Sequence, residues 1–238
     1  PETAWVAGSL GAVLGAGLGP HHARAPRFDP GAFRLAWREP RIRAAFAGYL
    51  GHMWELYAMW AWLAAALAWG FAARLPADEA VTLARLVTFA AIALGGLACV
   101  VAGRLADRVG KARIASLAMA VSALSAVATA ASLGGPVALT IICALVWGIA
   151  VIPDSAQFSA LVADAAPPAQ AGSVLTLQTA LGFALTAVTV QIAPLAATVV
   201  GWPWLLALLA AGPLLGIAAM RPLVALEGGL SGARGRRS

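Results

Sequence analysis

His52 and Glu55 are the only charged or imidazole side chains in the apolar stretch from Ala44 to Ala73. Three residues apart, they share one helix face with Gly48 and Met59. A carboxyl group in a low-dielectric surrounding can exchange a proton rather than stay ionised. Glu55 is therefore suited to bind and release a proton or to hold a solute, and His52 to relay that proton or hydrogen-bond the solute. The plainer alternative is a Glu55–His52 pair that only packs helices together. Asp154 follows Pro153. A proline bends a helix and frees a carbonyl, which makes Asp154 a gate or an ion site, or else an interfacial carboxylate satisfied by neighbouring helix ends. Gln157 lies one turn on, on the same face. Gln178 is expected at a similar depth, facing Gln157, with Thr179, Gly182 and Thr186 continuing its polar side. Such residues also hold helices together without any cargo.

Other chemistry finds little support. The sequence shows no zinc-ligand spacing, no phosphate-binding loop and no Ser-His-Asp arrangement, and His52-x-x-Glu55 is a single pair without a second metal motif. Neither a cofactor nor a metal is expected. Cys99 and Cys143 both fall inside apolar runs, which argues for small buried side chains rather than a disulfide framework.

The elements that must carry these residues follow from composition. Of 238 residues, 61% are hydrophobic and 11% charged, against about 25% charged in ordinary globular domains. The charges are confined to short stretches. The runs between them exceed the roughly 20 apolar residues that cross a bilayer. The reading is all-α and polytopic. Segment 1–20 is the end of a preceding transmembrane helix, and 21–43 is a basic, proline-rich cytoplasmic linker. Within the linker, Phe33–Arg38 is suited to a short amphipathic helix on the membrane surface. Six spans follow in 44–220, near 44–73, 82–103, 114–133, 136–163, 172–199 and 203–220. Gly134-Gly135-Pro136 and Gly201-Trp202-Pro203 divide the two uncharged runs that are too long for a single crossing. The residues from 221 to 238 make a disordered basic tail.

Placing the linker inside and alternating sides puts loop 104–113 and the tail inside as well. Of the 16 Lys and Arg residues only Arg74 and Arg85 then lie outside, as the positive-inside bias requires. The net charge of +6 is accounted for without nucleic acid. Trp69, Trp202 and Trp204 fit an outer aromatic belt, whereas Trp54 and Trp60 lie deeper. The sequence starts at Pro1 with neither an initiator Met nor a basic n-region, so the start reads as a cut inside a longer protein rather than a signal peptide.

Gly103-Arg-Leu-Ala-Asp107-Arg108-Val-Gly110-Lys111-Ala-Arg113 resembles the cytoplasmic loop signature of the major facilitator superfamily. The order of segments resembles that family's C-terminal half, helices 6 to 12, over essentially the whole chain. The resemblance implies a six-helix bundle in the bacterial inner membrane, working against an N-terminal half by alternating access. It also implies a small-molecule substrate, with protons as the coupling ion. Gly103 and Gly110 would allow close approach and a sharp turn; Asp107, Arg108, Lys111 and Arg113 would make charge contacts that favour one transport state. Seven apparent spans also fit a retinal protein, but the only lysine is Lys111, outside the last helix. A membrane-embedded enzyme and a non-transporting sensor or assembly subunit remain as alternatives. The residues name no solute.

Overall fold

The computed structural model describes residues 28–234, with side chains as far as Glu227. The leading apolar segment 3–20, Arg24 and Arg27 of the linker, and Arg236 and Arg237 of the tail lie outside the described residues. The described chain is all-helical, with eight helices: α1 Gly31–Arg38, α2 Pro40–Phe71, α3 Ala77–Val109, α4 Lys111–Ser132, α5 Val137–Val151, α6 Ser155–Ala165, α7 Ala171–Leu209 and α8 Ala211–Arg234.

Each boundary has a local cause. α2 starts with Pro40 at its first position, where no amide hydrogen is needed, and Glu39 accepts from the Arg41 amide at 3.3 Å. α3 starts after Pro76 with Asp78 and Glu79 in its first turn, where negative charge is favoured by the helix dipole. Those two acids are helical, so the helix begins at Ala77, ahead of the span expected from 82. α5 ends at Val151, where Pro153 cannot supply an amide to the ladder, and α6 takes over from Ser155. α7 changes direction at Gly201, whose φ of 82° and ψ of 160° are non-helical. The next interruption, at Ala210, only separates α7 from α8.

Two sequence expectations are corrected. The stretch 104–113 is not an open loop: α3 continues to Val109 and α4 begins at Lys111, leaving Gly110 alone between them. Gly110 makes this one-residue turn with φ of 118°, which a side-chain-bearing residue adopts only under strain. The last helix does not end near 220 but runs on to Arg234. It is tethered beyond that point, because Glu227 is bonded to α4.

α2 is the axis of the assembly and packs against α8, α7 and α3. Its glycines permit that closeness. A Cβ on Gly51 would meet the Gly212 carbonyl, and one on Gly212 would meet the Gly51 carbonyl. Gly148 of α5 lies in the same way on the backbone of Ala91. Small residues at such crossings are how helices associate where no hydrophobic effect drives them together.

Large apolar side chains face outwards, among them Val199 at 84%, Phe89 and Leu124 at 72% and Leu215 at 71% exposure. Four helical segments are long and apolar enough to cross a membrane: Ala77–Val109, Lys111–Ser132, Val137–Ala165 and Ala171–Glu227, the last of 57 residues. This exterior is compatible with a membrane-embedded protein. The stretch 44–73, expected as a span, is not among the four. His52, Glu55 and its aromatic residues lower its hydropathy, and it is instead the most enclosed helix.

Candidate functional site

Halfway along α2, two apolar clusters meet. One gathers Ile42, Phe46, Tyr49 and Met53 with Phe158, Val174 and Met220; the other gathers Leu56, Met59, Leu63 and Phe71 with Ala91, Ala126 and Trp147. His52 and Glu55 sit at the junction, each only 1% exposed. Glu55 is held by two donors from different helices. Trp147 Nε1 of α5 donates to Oε1 at 2.7 Å, and Ser122 Oγ of α4 donates to Oε2 at 2.9 Å. The sequence reading missed Trp147. Its signal was a lone indole N–H in an uncharged run, a donor that must find an acceptor when buried.

His52 does not pair with Glu55, the plainer of the alternatives that their spacing allows. Its ring turns towards the break between α5 and α6. Nδ1 lies 2.9 Å from Asp154 Oδ1, off the axis of a full hydrogen bond, and Nε2 lies 3.1 Å from Ser155 Oγ. Tyr49 and Phe158 pack against the ring at centroid distances of 6.2 and 5.7 Å. Asp154 is 2% exposed and stands at the N-cap of α6, yet its side chain makes no cap bond there. The proline break has thus placed a carboxylate inside the bundle rather than at an interface. A Ser-His-Asp set, not apparent along the chain, is therefore assembled in space. His52 stands 103 positions before Ser155, a separation that linear spacing cannot reveal.

Gln157 and Gln178 are both buried but not hydrogen-bonded to each other. Gln157 is buried on α6. Gln178 is 1% exposed on α7, with neither its amide oxygen nor its nitrogen hydrogen-bonded. Thr186 Oγ1 donates to the Met53 carbonyl at 3.3 Å, joining α7 to α2. Gly182 lies against Tyr49 and Met53. Of the two deeper tryptophans, Trp54 donates from Nε1 to the Leu208 carbonyl at 3.4 Å and borders an apolar cavity with Leu50, Gly51 and Leu215, whereas Trp60 packs against Tyr57; Trp62 Nε1 donates to the Val190 carbonyl at 3.0 Å. Trp69 and Trp204 are exposed at 53% and 69%.

The Gly103–Arg113 motif ends in a second polar cluster. Gly110 has no side chain to cap α4. Glu227 of α8 does it instead, accepting from the Ala112 amide at 2.9 Å and the Arg113 amide at 3.1 Å. Lys111 Nζ pairs with Asp164 at the end of α6. Asp107 and Arg108 are exposed and form no ion pair among the described residues. Replacing Glu227 with Ala should lower stability by about 1–2 kcal/mol, the usual worth of a helix cap, and Glu227→Gln by less. Thermal unfolding of the detergent-solubilised variants measures this. At the linker, the Asp29 carboxylate accepts from the Gln170 side chain at 2.6 Å and the Gly31 amide at 2.8 Å. These two donors, Gln170 first, hold its carboxyl below the ordinary carboxylate range.

Compared with protein-family models, with curated proteins and with solved structures, the chain matches none.

Proposed function

We propose that this chain is the C-terminal half of a proton-coupled secondary transporter of the major facilitator type. Glu55 is its proton-binding group, and His52 with Asp154 forms the adjoining relay. The observation that carries the reading is the burial of two carboxylates and an imidazole, at 1–2% exposure, in the middle of an apolar bundle. Ionisable groups inside a membrane protein are costly and are usually found on ion or proton pathways. A site sealed by Trp147, Ser122 and Phe158 still admits a proton, which needs no room. The break at Pro153 supports the same reading, because discontinuous helices line transporter sites. In this reading α2, α3, α4, the α5–α6 pair, and α7 and α8 divided at Gly201 supply six crossings. The linker, the Gly110 turn and the tail face the cytoplasm. An N-terminal half completes a cavity for a small solute.

The test is a solute screen on the full-length protein in vesicles carrying a pH dye. Uptake should be accompanied by proton movement, and both should depend on Glu55. Solute uptake with no proton movement would falsify the coupling.

One observation favours a second reading, a membrane-embedded hydrolase. Ser155 Oγ, His52 Nε2, His52 Nδ1 and Asp154 Oδ1 stand in the order of a nucleophile, base and orienting acid, and Ser155 is only half-buried. The Asp154 oxygen lies off the Nδ1–H axis, so the imidazole lacks the alignment such sets rely on. The transporter reading expects a fluorophosphonate probe to leave Ser155 unmodified by mass spectrometry. Labelling that disappears in His52→Ala would instead establish the hydrolase.

A further inference from the structure

We propose that the serine–threonine face of α4 is the route by which protons reach Glu55 from the membrane face bearing Arg74. The inference rests on Glu55 being the proton-binding group.

The route begins at the Glu55 carboxylate itself, to which Ser122 Oγ donates at 2.9 Å. Ser125, Thr129 and Ser132 follow at helical spacing on the same face. The four are 1%, 7%, 0% and 6% exposed, although they are hydroxyl-bearing side chains. Ala123, Ala126 and Ala130, also buried, keep this side of the helix slim. At the far end Thr140 of α5 joins the row, donating to the Ser132 carbonyl at 2.8 Å. Next to it lies the α4–α5 turn, where exposed Arg74 donates to the Gly134 carbonyl at 3.3 Å. The row thus runs from Glu55 to one end of the bundle, roughly 15 Å at 1.5 Å per residue.

The second observation is an orphan. Thr129 Oγ1 is fully enclosed and has no hydrogen-bond partner. A buried hydroxyl in that position is normally satisfied by an internal water. Its neighbour Ser132 donates to the Thr129 carbonyl at 3.0 Å, which leaves the Ser132 oxygen free to accept. Successive hydroxyls on one helix face stand about 5–6 Å apart, a gap that one water bridges. Hydroxyls alternating with waters pass protons by exchanging hydrogen bonds along the row. No atom other than the proton moves any distance.

The titratable groups around Glu55 are His52 on its own helix and Asp154 at the α5–α6 break. The segments 114–132 and 171–220, which supply α4, α7 and the inner part of α8, contain no charged or imidazole side chain. His52 leads away from Glu55 towards half-buried Ser155, a different exit. The α4 row is therefore specific to one side, and the test exploits that.

Full-length protein is reconstituted in vesicles in one orientation. The infrared carboxyl band of Glu55 is recognised by its loss in Glu55→Gln. Thr129→Val keeps the volume and removes the hydroxyl. It is expected to slow protonation after a pH jump on the Arg74 face by about 10²-fold, the lower end of what a positioned proton donor contributes. A jump on the opposite face should be answered at the wild-type rate, and Thr129→Ser should restore the rate on the Arg74 face. Ser125→Ala repeats the experiment should Thr129→Val not fold. Wild-type rates from both faces in Thr129→Val and Ser125→Ala overturn the route. Equal slowing from both faces overturns it too, by making the hydroxyls structural. A wild-type protein without a Glu55 band overturns the reading of Glu55 instead.

Discussion

Glu55→Gln yields a folded protein in which solute movement no longer draws on a proton gradient. The two donors that hold Glu55 predict both halves of that result. Trp147 Nε1 can donate only, so the new amide turns its carbonyl oxygen to the indole. Its NH2 then faces Ser122 Oγ, which can accept as readily as it donates. The bundle therefore loses no hydrogen bond and little stability. What disappears is the exchangeable proton. Gradient-driven uptake should fall by about 10²–10⁴-fold, the range that a positioned acid or base contributes. Exchange of labelled for unlabelled solute across vesicles without a gradient should persist. Its pH dependence should flatten, because the carboxyl that takes up the coupled proton is gone, while His52 is hydrogen-bonded to Ser155 and not to position 55. Gradient-driven uptake at the wild-type level in Glu55→Gln would remove Glu55 from the coupling step.

Gly51→Leu is expected to destabilise the fold strongly. The Gly51 and Gly212 backbones are in mutual contact where α2 crosses α8, and Gly216 lies beside them. Side chains can rotate away from an intruding methyl group, but a helix carbonyl cannot. Overpacking ordinarily costs about 1–3 kcal/mol, and here the cost should reach the top of that range because two helices must part. Parting them also pulls Trp54 from the Leu208 carbonyl. For a chain of this size, about 3 kcal/mol corresponds to a loss of roughly 6–12 °C in Tm. Gly96→Leu is the matched control. Gly96 lies on α3 with nothing within 4 Å of a new Cβ, and a substitution there should stay within about 0.5 kcal/mol. Gel filtration after a heating series compares the two directly. A Gly51→Leu protein that elutes and melts like the parent would mean that α2 and α8 are not packed through their glycines.

How far the site could be read along the chain depended on the range of each interaction. Glu55, His52 and Asp154 stood out because an ionisable residue among apolar neighbours is conspicuous whatever the fold. Their partners did not. Ser122 and Trp147 come from helices 67 and 92 positions away from Glu55, and neither residue type is unusual in an apolar run. The alternative of a Glu55–His52 pair failed for the same reason. Residues on one helix face can meet, but whether they do depends on which helices cover them. Here α4 and α5 take Glu55 while the α5–α6 break takes His52. Glu227 carried no visible signal at all, since a lone acid in a basic tail looks solvated until α4 brings its free amides alongside.

Composition and the spacing of charges alone determined that this chain is helical, and that its helices are long and apolar enough for a membrane. Those properties are local sums over consecutive residues: hydropathy, proline and glycine positions, and the scarcity of charge. Which buried polar group meets which was decided only by tertiary structure. A hydrogen bond is directional and short, and its partner is selected by the crossing of helices at Gly51, Gly148 and Gly182 rather than by any neighbour in the chain. The turn at Gly110 belongs to both levels. Glycine was required by its own backbone angle, but the Glu227 carboxylate that fills the space beside it came from the far end of the fold.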